Sequence, residues 1–210
     1  MNPEARESAG IGGTAAEIPL FPLGTVLFPG GWLPLRIFEQ RYLDMVKVCL
    51  RDNTAFGVCL IREGHEVGQP ALPHATGCLA RIEQWDMPHP NLFAILARGE
   101  TRFRIVDTRV GANGLITGHV ETLPDPTRPD TVDAACREVL RLAIERAGTG
   151  SLLQDPAQLD DPVWVSYRLA EILPIAAPEK QALLEMTDTR ERLEHLHAWM
   201  LAQGIVEKYQ

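Results

Sequence analysis

The stretch IPLFPLGTVLFPGGWLPLRIFEQRYLDMV, residues 18–46, decides the fold of this chain. Its first part places apolar residues between prolines and glycines, which predicts short extended strands separated by turns. Its second part changes to the period of a helix, and one apolar stripe continues past its end: Tyr42, Met45, Val46, Cys49 and Leu50. A helix with one apolar face buries that face against its neighbours, so this helix is expected to cover one side of a set of strands.

Ordered motifs in the same stretch point to a family. They are residues 19–23 (PLFPL), 27–30 (LFPG), 34–35 (PL), 37–39 (IFE) and 41–42 (RY). In this order they resemble the opening of the LON substrate-binding domain, the N-terminal domain of the ATP-dependent Lon protease. Later segments resemble the same domain: residues 98–105 (RGETRFRI), 173–174 (LP), 180–185 (KQALLE) and 191–193 (ERL). The resemblance spans roughly residues 17–197. It implies an α+β fold: a PUA-like β-barrel lobe with a covering helix, followed by an α-helical bundle lobe.

The pattern along the chain agrees with two lobes. Regularly spaced apolar runs predict strands at residues 18–21, 26–28, 33–37, 55–61, 78–85, 92–97, 102–109 and 115–122. Helical periods and cap residues predict helices over 131–147 and 162–173, and after Pro178 and Asp188. Three prolines within residues 123–129 form a stiff connector. We therefore predict a flexible tail at 1–16, the barrel lobe at 17–123 and the helical lobe at 124–210.

Charge and cysteine content restrict the function classes. The net charge is −8, and the sequence has no cluster of lysines and arginines that could bind phosphates. Both features argue against nucleic acid as a partner. No apolar run reaches the ~18 residues expected of a membrane span, and the N-terminus does not resemble a signal peptide. Four cysteines without a CxxC spacing are expected to be buried thiols: Cys49, Cys59, Cys78 and Cys136. These features predict a cytoplasmic protein without a membrane partner and without a zinc site.

Motifs of catalysis are missing from the sequence. It has no P-loop, no GxSxG and no HExxH, and only three serines. His195 and His197 lie two positions apart on a predicted helix, where their side chains diverge, so they do not suit one metal ion. We expect no catalytic residues, no metal and no cofactor, and therefore not an enzyme.

Large apolar residues beside turns are the candidate binding residues. Phe28, Trp32 and Leu33 flank Gly30 and Gly31, and Trp85 and Met87 precede a turn marked by Pro88, Pro90 and Asn91. Exposed apolar residues at turns usually indicate a partner. The alternative is that these side chains fold back over the end of the barrel, and the sequence leaves both interpretations open.

The resemblance implies that the chain binds polypeptides without catalysis and lacks the ATPase and protease domains of Lon. It also suggests a link to protein quality control or degradation. Two alternatives stay open at this point: an RNA-binding PUA-type module, and a small hydrolase with an unrecognised site. The sequence does not indicate an oligomeric state.

Overall fold

The computed structural model describes residues 16–148 and 158–206. The described chain forms six strands and five helices and is an α+β structure. The strands are β1 (Ala16–Leu23), β2 (Trp32–Ile37), β3 (Phe56–Glu63), β4 (Leu72–His89), β5 (Leu92–Val110) and β6 (Ile116–Thr122). The helices are α1 (Gln40–Asp52), α2 (Ala134–Ala147), α3 (Pro162–Ile172), α4 (Ala177–Glu185) and α5 (Thr189–Ala202). The tail predicted at 1–16 lies outside the described residues, except for Ala16, which pairs with Val120.

The strands form one mixed sheet in the order β2-β5-β4-β3-β1-β6. β1 and β3 are parallel, and the other pairs are antiparallel. β6 also pairs with the second half of β5. The pairings therefore form a closed circle through five strands: β5, β4, β3, β1 and β6. β2 pairs with the first half of β5 and ends the strand order.

Helix α1 forms where the stripe predicted it. Tyr42, Met45, Val46 and Cys49 are buried, and they pack with apolar residues of β1, β3, β4 and β5. The helix ends at Asn53, which has a left-handed backbone conformation (φ 52°). The N–H of Asn53 donates to the carbonyl of Cys49. α1 therefore covers one face of the sheet.

Two strand predictions were wrong. Residues 26–28 were predicted as a strand, but they lie in the segment between β1 and β2. Residues 92–97 and 102–109 were predicted as separate strands. They belong to the single strand β5. A Cβ at Gly99 would overlap the carbonyl of Phe28, and the backbones of Gly99 and Gly31 are hydrogen-bonded at 2.8 Å. Gly99 therefore permits the close approach of two backbone segments, which is a known role of glycine inside a strand.

Cap residues define the helices of the second half. The side chain of Asp161 accepts hydrogen bonds from the N–H groups of Val163 and Trp164, and Pro162 begins α3, as the sequence predicted. Asp188 caps α5 in the same way. The helix predicted at 131–147 begins later, at residue 134, because the carboxylate of Asp133 accepts from the N–H of Cys136.

The helices and the sheet share buried groups. Val26 and Phe28, from the segment between β1 and β2, lie in the apolar core of the helices. Arg102 of β5 is 2 % exposed and donates to the carbonyls of Leu184, Met186 and Pro124 at 2.8 to 2.9 Å. These contacts tie the second half of the chain directly to the strands.

Candidate functional site

The strand register brings three apolar side chains side by side on one face of the sheet. Leu35 of β2 pairs with Ile95 of β5, and Ile95 pairs with Trp85 of β4. Directly paired residues of antiparallel strands point to the same face. This face therefore runs from β2 across β5 to the end of the β4–β5 hairpin.

Trp85 and Met87 are the exposed part of this face. Their side chains are 57 % and 50 % exposed, which agrees with the first of the two interpretations that the sequence left open. The ring of Trp85 meets the buried ring of Phe93 edge-on, with centroids 5.9 Å apart, so the indole is anchored on one side and open on the other. The turn follows at Pro90 and Asn91, where β4 ends and β5 begins.

Trp32 lies on the opposite face. It pairs with Arg98, whose guanidinium stands 5.4 Å from the centre of the indole ring, and it is half-buried. Leu33 points to the same face as Trp85 but is half-buried against the core beneath α1. Trp32 and Trp85 therefore cannot contact one partner from the same face of the sheet.

Phe28 was predicted to be a candidate binding residue, and the structure contradicts this prediction. It is fully buried, and its ring packs against Tyr167 of α3 with centroids 5.7 Å apart. It contributes to the core between the helices and the strands and offers no surface to a partner. The two glycines after it indicated a turn correctly, but the turn directs Phe28 inward.

An apolar cavity of about 170 Å³ lies beside the face that carries Trp85. Leu35 and Ile37 of β2 line it, together with Phe21 and Leu23 of β1 and Tyr42 of α1. Phe38 and Val67 also line this cavity and are 56 % and 57 % exposed. Neither residue was predicted to be part of a site, since nothing in the local sequence indicates that they lie together.

Carboxylates surround this cavity. Glu39 is ion-paired with Arg41 at 3.0 Å, and Glu66 accepts a hydrogen bond from the N–H of Gly24 at 2.5 Å. Burial raises the pKa of the Tyr42 hydroxyl; the charge of Arg41 opposes this shift, and the charges of Glu39 and Glu66 add to it. Arg36 also lines this cavity, so it is apolar inside and has charged side chains of both signs at its edge.

A larger cavity, of about 390 Å³, lies along α5. It is lined by both polar and apolar residues, among them Leu193, Leu201, Asp133 and His197. The imidazole of His197 is 3.0 Å from the carboxylate of Asp133. Burial alone would raise the pKa of Asp133, but hydrogen bonds from Cys136 and His197 hold it below its ordinary value. Asp133 thus serves to cap α2.

The serine and cysteine side chains of the described residues are buried. Ser166, the one serine within 16–148 and 158–206, donates to the carbonyl of Val163 and accepts from Arg192. All four cysteines are buried free thiols, as predicted, and burial raises their pKa above the ordinary value. No group of three or more metal-ligating side chains occurs in these two ranges. In the same part of the chain, no helix is long and apolar enough to cross a membrane.

The fold is that of a known class of domain. The chain belongs to the family of ATP-dependent protease La (LON) substrate-binding domains, whose family model matches residues 17–202. The resemblance stated from the sequence is confirmed.

Solved structures and curated relatives agree with this assignment. A Lon N-terminal domain protein from Xanthomonas campestris is similar, with a TM-score of 0.70 and 38% identity over 88% of this chain and 98% of that one. The N-terminal domain of Lon protease from the Mycobacterium avium complex shares the fold, with a TM-score of 0.65, 20% identity and coverage of 88% and 97%.

Among curated proteins, Lon protease 1 of Sorangium cellulosum is 31% identical over 91% of this chain and 25% of its own length. Lon protease 2 of Myxococcus xanthus is 27% identical over 84% and 22%. The chain thus spans about a quarter of the length of these curated relatives.

Proposed function

We propose that this chain is a non-catalytic polypeptide-binding protein that engages unfolded or degron-bearing chains, in connection with protein quality control or degradation. The observation that carries the proposal is the exposed pair Trp85 and Met87, which continues the apolar face beside the cavity of Leu35 and Ile37. The family's description as a substrate-binding domain of a protease supports it.

The chemistry of the pair suits a polypeptide with variable sequence. Aromatic residues anchored on one side dominate the energy of many protein interfaces. Methionine adapts its flexible thioether to different apolar partners. Together with the exposed Phe38 and Val67 at the cavity, these residues offer anchors to apolar side chains that a folded protein would hide.

The test is a titration of fluorescein-labelled casein, an unfolded polypeptide, with the full chain. Trp85→Ala should weaken binding by roughly tenfold or more, because losing an aromatic anchor can cost ~2 kcal/mol. Val106→Ala is the matched control, since Val106 is equally exposed (58 %) and lies on the second half of β5. Absence of casein binding by the unaltered protein, or equal affinities of the two variants, would overturn the proposal.

The strand pairings support the finer description of the fold. We propose a PUA-like β-barrel lobe at 17–123, covered by α1, and a helical bundle lobe at 124–210. The return of the pairings from β6 to β5 and the packing of α1 on the sheet favour this division. After any cleavage of the tail predicted at 1–16, limited proteolysis should cut in the connector near Pro124 and Pro129, and earlier cuts inside the strands would contradict the boundary.

A cytoplasmic location and the absence of enzymatic activity belong to the same proposal. Four free buried thiols fit a reducing compartment. The protein, purified to homogeneity, should turn over neither ATP nor casein above a matched blank. Filter binding with labelled RNA should show no affinity that falls steeply with salt, which is the signature expected of an RNA-binding module.

A further inference from the structure

We propose that the free edge of β2 accepts an extended polypeptide segment as an added strand, and that the neighbouring cavity takes one large apolar side chain of that segment. This inference rests on the proposed function and specifies its substrate class. It also identifies a second contact region, distinct from the exposed pair Trp85 and Met87.

The direction of the backbone groups in β2 follows from one hydrogen bond. The N–H of Gly99 donates to the carbonyl of Gly31 at 2.8 Å, so residue 31 faces β5. Backbone groups of a strand alternate between its two edges, hence Leu33, Leu35 and Ile37 also face β5. Three residues therefore direct their backbone groups to the other edge: Trp32, Pro34 and Arg36.

No described strand pairs with that other edge. Pro34 has no N–H to donate, and on this edge the loss does not affect the pairing with β5. A proline on an edge strand also reduces non-specific pairing with the strands of other chains. The N–H groups of Trp32 and Arg36 and three carbonyls are still directed toward an incoming strand.

The cavity lies where side chains of an added strand would point. Leu35 and Ile37 line it, and they project from the same face of β2. An added strand runs ~4.8 Å from β2 and places every second side chain on this face. One such side chain would come over the opening of the cavity.

The size and chemistry of the cavity select that side chain. Its volume of about 170 Å³ is well below the roughly 300–1,000 Å³ of pockets for drug-sized ligands. An apolar cavity of ~150 Å³ is large enough for a benzene ring. At the edge, the carboxylates of Glu39 and Glu66 are accompanied by Arg36, and Glu39 is ion-paired with Arg41, so the size and the apolar lining select the side chain. The preferred segment is extended and carries a phenylalanine or a residue of similar size.

The first experiment separates the backbone contact from the side chain. Arg36→Pro removes the N–H directed to the free edge, and Arg36→Ala removes the same side chain but keeps the N–H. A labelled short peptide of alternating threonine and lysine with one central phenylalanine is the probe. We expect Arg36→Pro to bind it about three- to tenfold more weakly than Arg36→Ala, since one backbone hydrogen bond is lost. Equal affinities of the two variants, with equal melting temperatures, would overturn the added strand.

The second experiment uses the unaltered protein, so it does not depend on the folding of a variant. Amide hydrogen exchange by NMR should show that the peptide slows exchange at Trp32 and Arg36, which face the free edge. Leu33 and Leu35 already face β5 and should change little. Bound peptide without new protection at Trp32 and Arg36 would refute the inference and leave the proposed function standing.

The peptide itself tests the cavity. Replacing its phenylalanine by alanine should lower the affinity at least tenfold. Equal binding of the phenylalanine and alanine peptides would show that the cavity takes no side chain. If neither casein nor any of these peptides binds, the proposed function fails together with the inference.

Discussion

The carboxylate of Glu171 fills the space in which a side chain at position 31 would stand, so that Gly31 and helix α3 are in direct contact. Arg168 completes the junction. Its guanidinium is 2.8 Å from the carboxylate of Glu171 and donates to the carbonyl of Pro29 at 2.7 Å. The turn between β1 and β2 is thereby held by a largely buried ion pair on a helix from the other half of the chain.

Gly31→Ala should destabilise the protein. The new methyl group would meet the carboxylate of Glu171 and lie 2.9 Å from the carbonyl oxygen of Phe28, and such overpacking costs about 1–3 kcal/mol. Urea denaturation measures the loss. In a Glu171→Ala background the cost of the same substitution should be smaller, because part of the overlap is gone. An equal cost in both backgrounds would show that Glu171 does not limit residue 31.

Glu171→Gln should change how stability depends on pH. Burial raises the pKa of Glu171 to about 7, against the opposing charges of Arg168 and Lys180. The folded protein therefore binds this proton more tightly than the unfolded chain, whose carboxyl has its ordinary pKa of 4.5. The stability that the protonated group contributes is complete below its unfolded pKa and is lost as the pH rises to about 7 and beyond.

Glutamine cannot ionise, so the Glu171→Gln variant does not lose this stability as the pH rises. The free energy of unfolding of the variant minus that of the unaltered protein should increase by about 2–3 kcal/mol between roughly pH 5 and pH 8. Urea denaturation of the variant and of the unaltered protein, at both pH values, measures these free energies of unfolding. A difference that stays constant, or that decreases, would contradict the pKa assignment.

Phe28→Ala and Trp85→Ala should separate core from surface. Phe28 is fully buried, so its truncation should cost about 3–5 kcal/mol of stability. Trp85 is 57 % exposed, so its truncation should cost about 1 kcal/mol or less. Chemical denaturation of the two variants in parallel tests the contrast, and similar losses would mean that the assignment of Trp85 to the surface is wrong.

Arg102→Met should weaken the junction between strands and helices. It leaves the carbonyls of Leu184, Met186 and Pro124 without the donor that now satisfies them, at a cost of about 3 kcal/mol or more. Arg104→Met is the matched control on the same strand, because Arg104 is exposed and pairs only at the surface with Glu121.

Calorimetry checks both arginine variants. The melting temperature should fall by several degrees for Arg102→Met and hardly change for Arg104→Met. The unaltered protein should unfold in one transition, since its helices and strands share this junction. Two well-separated transitions would show that the two halves fold independently.

Local features of the structure could be predicted from the sequence because their causes lie within a few residues. The stripe from Tyr42 to Cys49 produced α1, and Asp161 with Pro162 began α3, because a helix needs only its own period and cap. The turn at Gly114, which has a positive φ of 82°, follows from the dipeptide Asn113-Gly114, because both residue types tolerate a positive φ. The family resemblance also depended on ordered local motifs, and it was confirmed over residues 17–202.

The tertiary structure alone decided which apolar residues form a surface. Phe28 and Trp85 have the same chemical character and both lie beside turns, yet one is buried against Tyr167 and the other is open to solvent. Trp32 and Trp85 lie on opposite faces because strand register, and not local sequence, determines which side chains are neighbours. The sequence by itself determined helix α1 and the first residues of α3 and α5, whose causes are local. Exposure and adjacency depend on contacts between residues far apart in the chain, and only the packed structure contains them.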